Sequence, residues 1–287
     1  MRRLFRRLLK ATVWIVALAL LVFIFGLLQA RRDPVIHQGR LGLADWPKGA
    51  APIRVLLLSD IHIGNLTMNR ARLDRVVDQA MVQRPDLILL AGDYISGYEA
   101  GTAQAVAPDL IAALSRLRAP LGVVAVLGNH DYWTDAATVH RTLAAANIKV
   151  LINDAVQVGP LVVGGVDDKT AKQDDIPRTV AAMRRLTGAH LILTHSPDIA
   201  LVMRNDAQPI LAGHTHCGQI VLPWLGPVRS LLDSREHYPC DMLWQGRHAM
   251  IVTGGVGTSV FPMRIGAPPQ MWLVTLGPRT ASPAPRS

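Results

Sequence analysis

Five times along this chain a short apolar run ends on residues able to ligate a cation. Ile53–Leu58 leads into Asp60-Ile61-His62, 86–91 into Gly92-Asp93 and 122–127 into Gly128-Asn129-His130-Asp131. Later, 190–193 leads into Thr194-His195 and 209–212 into Gly213-His214-Thr215-His216. Short apolar runs bounded by turn chemistry read as strands buried on both faces. Helical spacing fills the gaps. Leu73, Val76, Val77 and Ala80 share a face between 69 and 83, with Asn69 as N-cap. A helix is expected over about 108–118, with Pro108 in its first turn, and another over 134–147. Strand alternating with helix implies a parallel sheet, and open α/β sheets keep their sites at the C-terminal ends of strands.

The second half changes rhythm. The stretches 149–152, 155–158 and 161–166 read as strands joined by tight turns, 174–186 as a loop and helix, and 250–253 and 271–276 as closing strands. The expected fold is α/β: two mixed β-sheets packed face to face and flanked by helices. No repeat of fixed period is present.

The chain has 287 residues and a formal charge of +9. Residues 1–32 hold Arg2, Arg3, Arg6, Arg7, Lys10, Arg31 and Arg32 and no acid; removing those seven leaves +2 on the remainder. A nucleic-acid binder carries its basic excess on the folded domain, so no nucleic-acid partner is expected. The charges flank 11–30, twenty residues without a charge. A helix of that length spans about 30 Å, the thickness of a bilayer core. A cleaved export signal has a shorter apolar region and a better site than Leu28-Gln29-Ala30. The organisation expected is a basic segment (1–10), a transmembrane anchor (11–30), an extended linker (31–51), one catalytic domain (52–277) and a disordered tail (278–287). Five basic residues before the span and two after it favour the N-terminus inside, with the domain outside the cytoplasm. The alternatives are export after signal cleavage and a cytoplasm-facing domain.

Singly, each motif is weak: Gly-Asp is a common turn and Asp-x-His is common anywhere. Together they are strong, because five of the ten histidines end apolar runs in this way. His37, His140, His190, His237 and His248 lack such settings and read as surface or core residues. Aspartate, asparagine and histidine suit borderline to hard divalent cations. They are too many for one tetrahedral zinc and enough for two metals sharing a carboxylate, an arrangement that suits hydrolysis at phosphorus. Asp93 is the natural bridge, since a carboxylate has two oxygens. Cys217 directly follows the last histidine. The ligand set is full without it, and a small residue after a tight turn is the plainer reading; pairing with Cys240 stays open in an oxidising compartment. Arg264 reads as a solvated surface arginine, with a grip on a second phosphate as the sharper alternative. Trp224, Leu225, Phe261, Pro262 and Met263 read either as ordinary packing or as an apolar rim near the membrane.

The order Asp-x-His, Gly-Asp, Gly-Asn-His-Asp, His, Gly-His-x-His resembles the calcineurin-like metallophosphoesterase superfamily over 53–216. Gly213-His214-Thr215-His216-Cys217-Gly218-Gln219 and Gly257-Thr258-Ser259 are similar to its membrane-tethered bacterial phosphodiesterases, some of which hydrolyse UDP-2,3-diacylglucosamine in lipid A synthesis. The resemblance implies two divalent metals (manganese, iron or zinc). Asp60, His62 and His216 would hold the first and Asn129, His195 and His214 the second, with Asp93 between. It implies attack on phosphorus by a metal-bridging hydroxide, with His130 facing the substrate and Asp131 orienting His130. The location implied is the bacterial inner membrane, and the substrate a phosphodiester, lipid- or nucleotide-linked. Phosphomonoester hydrolysis is the alternative within enzymes. A non-catalytic membrane-anchored scaffold is the alternative outside them, disfavoured by the complete ligand set.

Overall fold

The computed structural model describes residues 2–203, 208–228, 240–245 and 248–279. The first helix, α1 (Arg2–Ala30), is long and apolar enough to cross a membrane, and of its residues only Gly26 and Ala30 are buried. The chain continues through β1 (Val35–Leu43), β2 (Ile53–Leu58), α2 (Arg70–Val82), β3 (Leu87–Ala91), α3 (Ala100–Leu114) and β4 (Val123–Val126). Then come α4 (Asn129–Thr134), α5 (Ala136–Ala145), β5 (Lys149–Val150), β6 (Asp154–Val158), β7 (Leu161–Gly165), α6 (Ile176–Met183) and β8 (Ala189–Leu193). The last elements are β9 (Ile210–Ala212), β10 (Val221–Leu222), β11 (Gly226–Pro227), β12 (Asp241–Gln245), β13 (His248–Val252) and β14 (Gln270–Pro278).

Two six-stranded sheets form, in the orders β1-β14-β2-β3-β4-β5 and β12-β13-β9-β8-β7-β6. The alternation of β2 explains the layering. Val55 and Leu57 face the second sheet, where they meet Leu161, Val163, Leu191, Leu193 and Ile251. Leu56 and Leu58 face the other way, onto Leu73, Val76 and Val77 of α2. The second sheet is covered outside by α6 through Val180 and Met183. β2, β3, β4 and β5 run parallel, as do β7, β8 and β9, so their C-terminal ends converge on the motif residues. This is the expected sandwich.

Two expectations fail. The segment 31–51 is not a tether throughout, because all nine residues of β1 pair in parallel with β14. Only Leu41 and Leu43 of β1 are buried, so the strand has little alternation to read, and its partner lies at the far end of the chain. The second is α3, which begins at Ala100 and holds Pro108 in its interior. Its alanine-rich opening buries little beyond Ala103, leaving the sequence no apolar stripe there. The tail beyond 279 lies outside the described residues.

Candidate metal centre

The strand ends turn sharply as they reach the site. Asp60, His62, Asp93, His214 and His216 all have left-handed backbones, with φ of 53°, 49°, 59°, 72° and 49°. Such residues cost on the order of 1–3 kcal/mol each unless their surroundings impose the conformation. The surroundings are hydrogen bonds between loops. Asp60 N donates to Gly92 O (3.0 Å), His62 N to Asp93 O (3.1 Å) and His214 N to the Asp60 carboxylate (3.2 Å). Gly213 is required by proximity: a Cβ there would lie 2.6 Å from Ser59 Oγ and 2.7 Å from Asp60 Oδ2.

Six of the seven expected metal ligands, Asp60, His62, Asp93, His195, His214 and His216, come together, and all seven are buried. His216 Nε2 lies 3.4 Å from Asp60 Oδ1 and 3.1 Å from His62 Nε2. His214 Nδ1 lies 3.1 Å from His195 Nε2. Asp93 Oδ2 stands between the groups, 3.4 Å from His62 Nε2 and 3.3 Å from His195 Nε2. Two atoms each about 2.1 Å from one cation, at 90–109°, are separated by about 3.0–3.4 Å, so the spacing suits metal ligation. Asn129 Oδ1 is buried without a hydrogen-bond partner, as an oxygen reserved for a cation would be. Burial lowers His62 to about 3 and drives His216 well below its usual range, leaving both rings neutral with a lone pair to offer. Burial alone would raise Asp93, but the charges of His195 and His130 outweigh it and hold the carboxyl well below the usual range.

His130 sits at the mouth. Its backbone N donates to Asp93 Oδ1 (2.9 Å), and its Nε2 is 3.2 Å from Ser259 Oγ. Its ring stands edge-on to His62 and lies between the exposed Tyr98 and Trp133, at 5.2 and 5.1 Å. A cleft of about 490 Å³ opens beside Ser259, lined by Gly64, Asn65, Leu66, Ser96 and 258–262.

Three residues depart from expectation. Asp131 does not orient His130. Its Oδ2 accepts from Gly128 N (2.8 Å) and Asp93 N (3.0 Å), and its Oδ1 accepts from Tyr94 N (2.9 Å), so it gathers the loops instead. Arg264 is neither a surface residue nor a grip for phosphate. It is fully buried and donates to the carbonyls of Gly254, Gly255, Gly257, Ala267 and His216, with Nη2 3.1 Å from His216 Nδ1. Cys217 is joined to Cys240 by a disulfide, so it is not a metal ligand.

Asp167 and Asp168 were missed. The apolar run through β7 ends on them in the same pattern as the five motifs. Asp167 accepts a hydrogen bond from the Tyr132 hydroxyl. Asp168 is buried, its Oδ2 has no partner, and burial pushes it up to about 7.

A calcineurin-like phosphoesterase family model matches residues 53–218, the stretch that carries all seven candidate ligands. The chain belongs to that family. Calcineurin-like phosphoesterases are metal-dependent phosphoric ester hydrolases that use two divalent metals, and the clusters Asp60–His62–His216 and Asp93–His195–His214 are able to bind them. Phosphodiesterase YaeI of Escherichia coli is 30% identical over 251 residues, 82% of this chain and 86% of its own length. A transmembrane protein with a metallophosphoesterase domain from Danio rerio is 28% identical over 90% of this chain. The chain spans only 61% of that zebrafish relative. Among solved structures, a dimetal phosphatase from Danio rerio aligns with a TM-score of 0.46 at 13% identity, covering 72% of this chain and 88% of that one.

Proposed function

We propose that the centre holds two divalent cations and hydrolyses a phosphodiester. Asp60, His62 and His216 would hold the first cation, and Asn129, His195 and His214 the second, with Asp93 between them. The observation that carries this reading is the position of Asp93 Oδ2, 3.4 Å from His62 Nε2 and 3.3 Å from His195 Nε2. A bound pair of cations supplies charge neutralisation for the phosphate oxygens and a water of lowered pKa.

The chain's own residues do the rest. His130, whose ring packs beside the exposed Tyr98 and Trp133, would use Nε2 to give its proton to the leaving oxygen. Ser259 Oγ, 3.2 Å away, fixes that ring. Asp131 holds the Asp93 turn through three backbone N–H groups. Diester rather than monoester specificity is supported by the family relative YaeI, whose name is phosphodiesterase, and by the cleft, which leaves room for a second ester group beside Ser259. Lipid- and nucleotide-linked diesters, including UDP-2,3-diacylglucosamine, are the substrates to try first.

We place the domain on the outer side of a bacterial inner membrane, held by α1. The charge bias around the span supports this, as does the Cys217–Cys240 disulfide, which suits an oxidising compartment. The test is turnover of a panel of phosphomonoesters, nitrophenyl phosphodiesters and lipid-linked diesters by the full chain, with manganese, iron and zinc in turn. Metal-dependent diester turnover is expected. A preference for monoesters would move the assignment to phosphomonoesterase. Two bound metals with no turnover of any ester would support the scaffold reading. Protease digestion of spheroplasts tests the side: a domain protected until lysis faces the cytoplasm.

A further inference from the structure

The last turn of α1 is docked on the catalytic domain, and the docking point sets a depth. Gly26 O accepts a hydrogen bond from Arg264 N (2.9 Å), and a Cβ at Gly26 would lie 2.8 Å from the Met263 side chain. Gly26 is four residues before Ala30, the end of the uncharged run. At 1.5 Å per residue the contact therefore lies about 6 Å inside that run. If α1 spans a bilayer, the segment 263–265 sits at the level of the outer end of the span.

Two exposed apolar tips hang from this segment. One is the β10–β11 hairpin, tied to it by Val221 N donating to Ile265 O (2.8 Å) and carrying Leu222, Trp224, Leu225 and Val228. Trp224 is fully exposed and Leu225 is 80% exposed. The other is Val260-Phe261. Val260 has φ of 53°, an outlier for a β-branched residue. Gln219 clamps the turn from both sides, donating to Ser259 O (2.9 Å) and Phe261 O (2.8 Å) and accepting from Ser259 N (2.8 Å). The clamp holds Val260 and Phe261 outward, 58% and 54% exposed, beside the Ser259 that touches His130. A protein surrounded by water gains nothing from strain that exposes apolar side chains.

We propose that Leu222, Trp224, Leu225, Val228, Val260 and Phe261 form a surface that enters the bilayer leaflet from which α1 emerges, seating the mouth of the metal centre at headgroup level. The occupant is fixed by continuity: the span and both tips share the 263–266 segment. An aromatic and aliphatic tip at a membrane interface is the composition expected there. The inference rests on the reading of α1 as a membrane span.

The test uses the full chain in phosphatidylcholine–phosphatidylglycerol vesicles. Both native cysteines are in the disulfide, so a new cysteine is the only labelling site. Nitroxide labels go on Leu225→Cys, Phe261→Cys and, as control, Val82→Cys, exposed at the end of α2 away from the strand ends that form the site. At 225 and 261, collisions with oxygen should exceed those with a water-soluble nickel complex; at 82 the ratio should reverse. Water-like ratios at 225 and 261, in protein that a high-salt wash leaves in the membrane, would overturn the proposal while sparing the anchor. Extraction by the wash would remove the anchor reading and this one with it. Protection from both reagents that grows with protein density would mean that a second copy covers the tips, and would overturn the proposal too. As a functional check, Trp224→Ser with Leu225→Ser should lower hydrolysis of a lipid-borne diester in vesicles about tenfold and leave a soluble nitrophenyl diester unchanged. Equal loss on both substrates would count against the surface.

Discussion

The two halves of the metal centre are fastened by side chains of opposite hydrogen-bonding character, an acceptor and a donor. On the first sheet, one carboxylate, Asp131, collects the N–H groups of Gly128, Asp93 and Tyr94. On the second, one guanidinium, Arg264, collects the carbonyls of Gly254, Gly255, Gly257, Ala267 and His216. The turns at the strand ends are the reason. They pull backbone groups out of their ladders into a buried space, where an unpaired N–H or C=O costs about 1–3 kcal/mol. The first half leaves donors over and takes an acceptor; the second leaves acceptors over and takes a donor. A metal centre built from strand ends needs such collectors as much as it needs ligands.

Five substitutions break or sharpen this comparison. Asp93→Asn touches both halves and should have the largest effect, a loss of turnover of at least about 100-fold, because a neutral amide holds two cations poorly. Metal analysis should fall below two per chain while the far-ultraviolet dichroism is kept; near-normal turnover with two metals would take Asp93 out of the bridge. His130→Ala belongs to neither fastening. It should keep both metals and lower kcat about 100-fold for alkyl leaving groups, and by less for nitrophenolate, which needs little protonation. Equal losses across a leaving-group series would assign His130 to phosphate binding instead. Next come the collectors themselves. Arg264→Lys should weaken the first metal and Asp131→Asn the bridge and the second, each by roughly 10–100-fold in metal affinity measured by competition with a chelator. If both substitutions weaken both sites equally, the halves are one unit and the contrast drawn here is wrong. Arg116→Ala sets the floor. Arg116 pairs with Asp74 and Asp78 on the exposed face of the helices, and its loss should cost less than about 1 kcal/mol in denaturant unfolding.

The same contrast explains what could be read from the sequence. Every first-sheet ligand lies within a few residues of its strand, and Asp131 lies two residues from Asn129, so motif and fastening arrive together. The layered sheets and the seven candidate ligands at their strand ends are legible because apolar runs and their endings are local. Arg264 is 48 residues from His216. Nothing near it in sequence distinguishes it from a solvated arginine. The disulfide was legible only as a possibility, since two cysteines carry no spacing pattern. Asp167-Asp168 is the opposite case: the apolar run of β7 announces it, but without a histidine it looks like an ordinary turn. β1 was lost because a sparsely buried edge strand carries almost no periodicity.

That edge strand bears on how the molecule is made. β14 lies between β1 and β2, so the strand following α1 has no partner until residues 270–278 have been synthesised. Until then β2 also lacks its neighbour on that side, and the growing chain presents a bare apolar edge. Assembly of the first sheet therefore waits for residues 270–278, and the slow step is the pairing of segments more than two hundred residues apart. A chain cut short before Gln270 would lose the partner of β1 and the flank of the Asp60 strand together, leaving a fragment for proteases rather than a partly active enzyme.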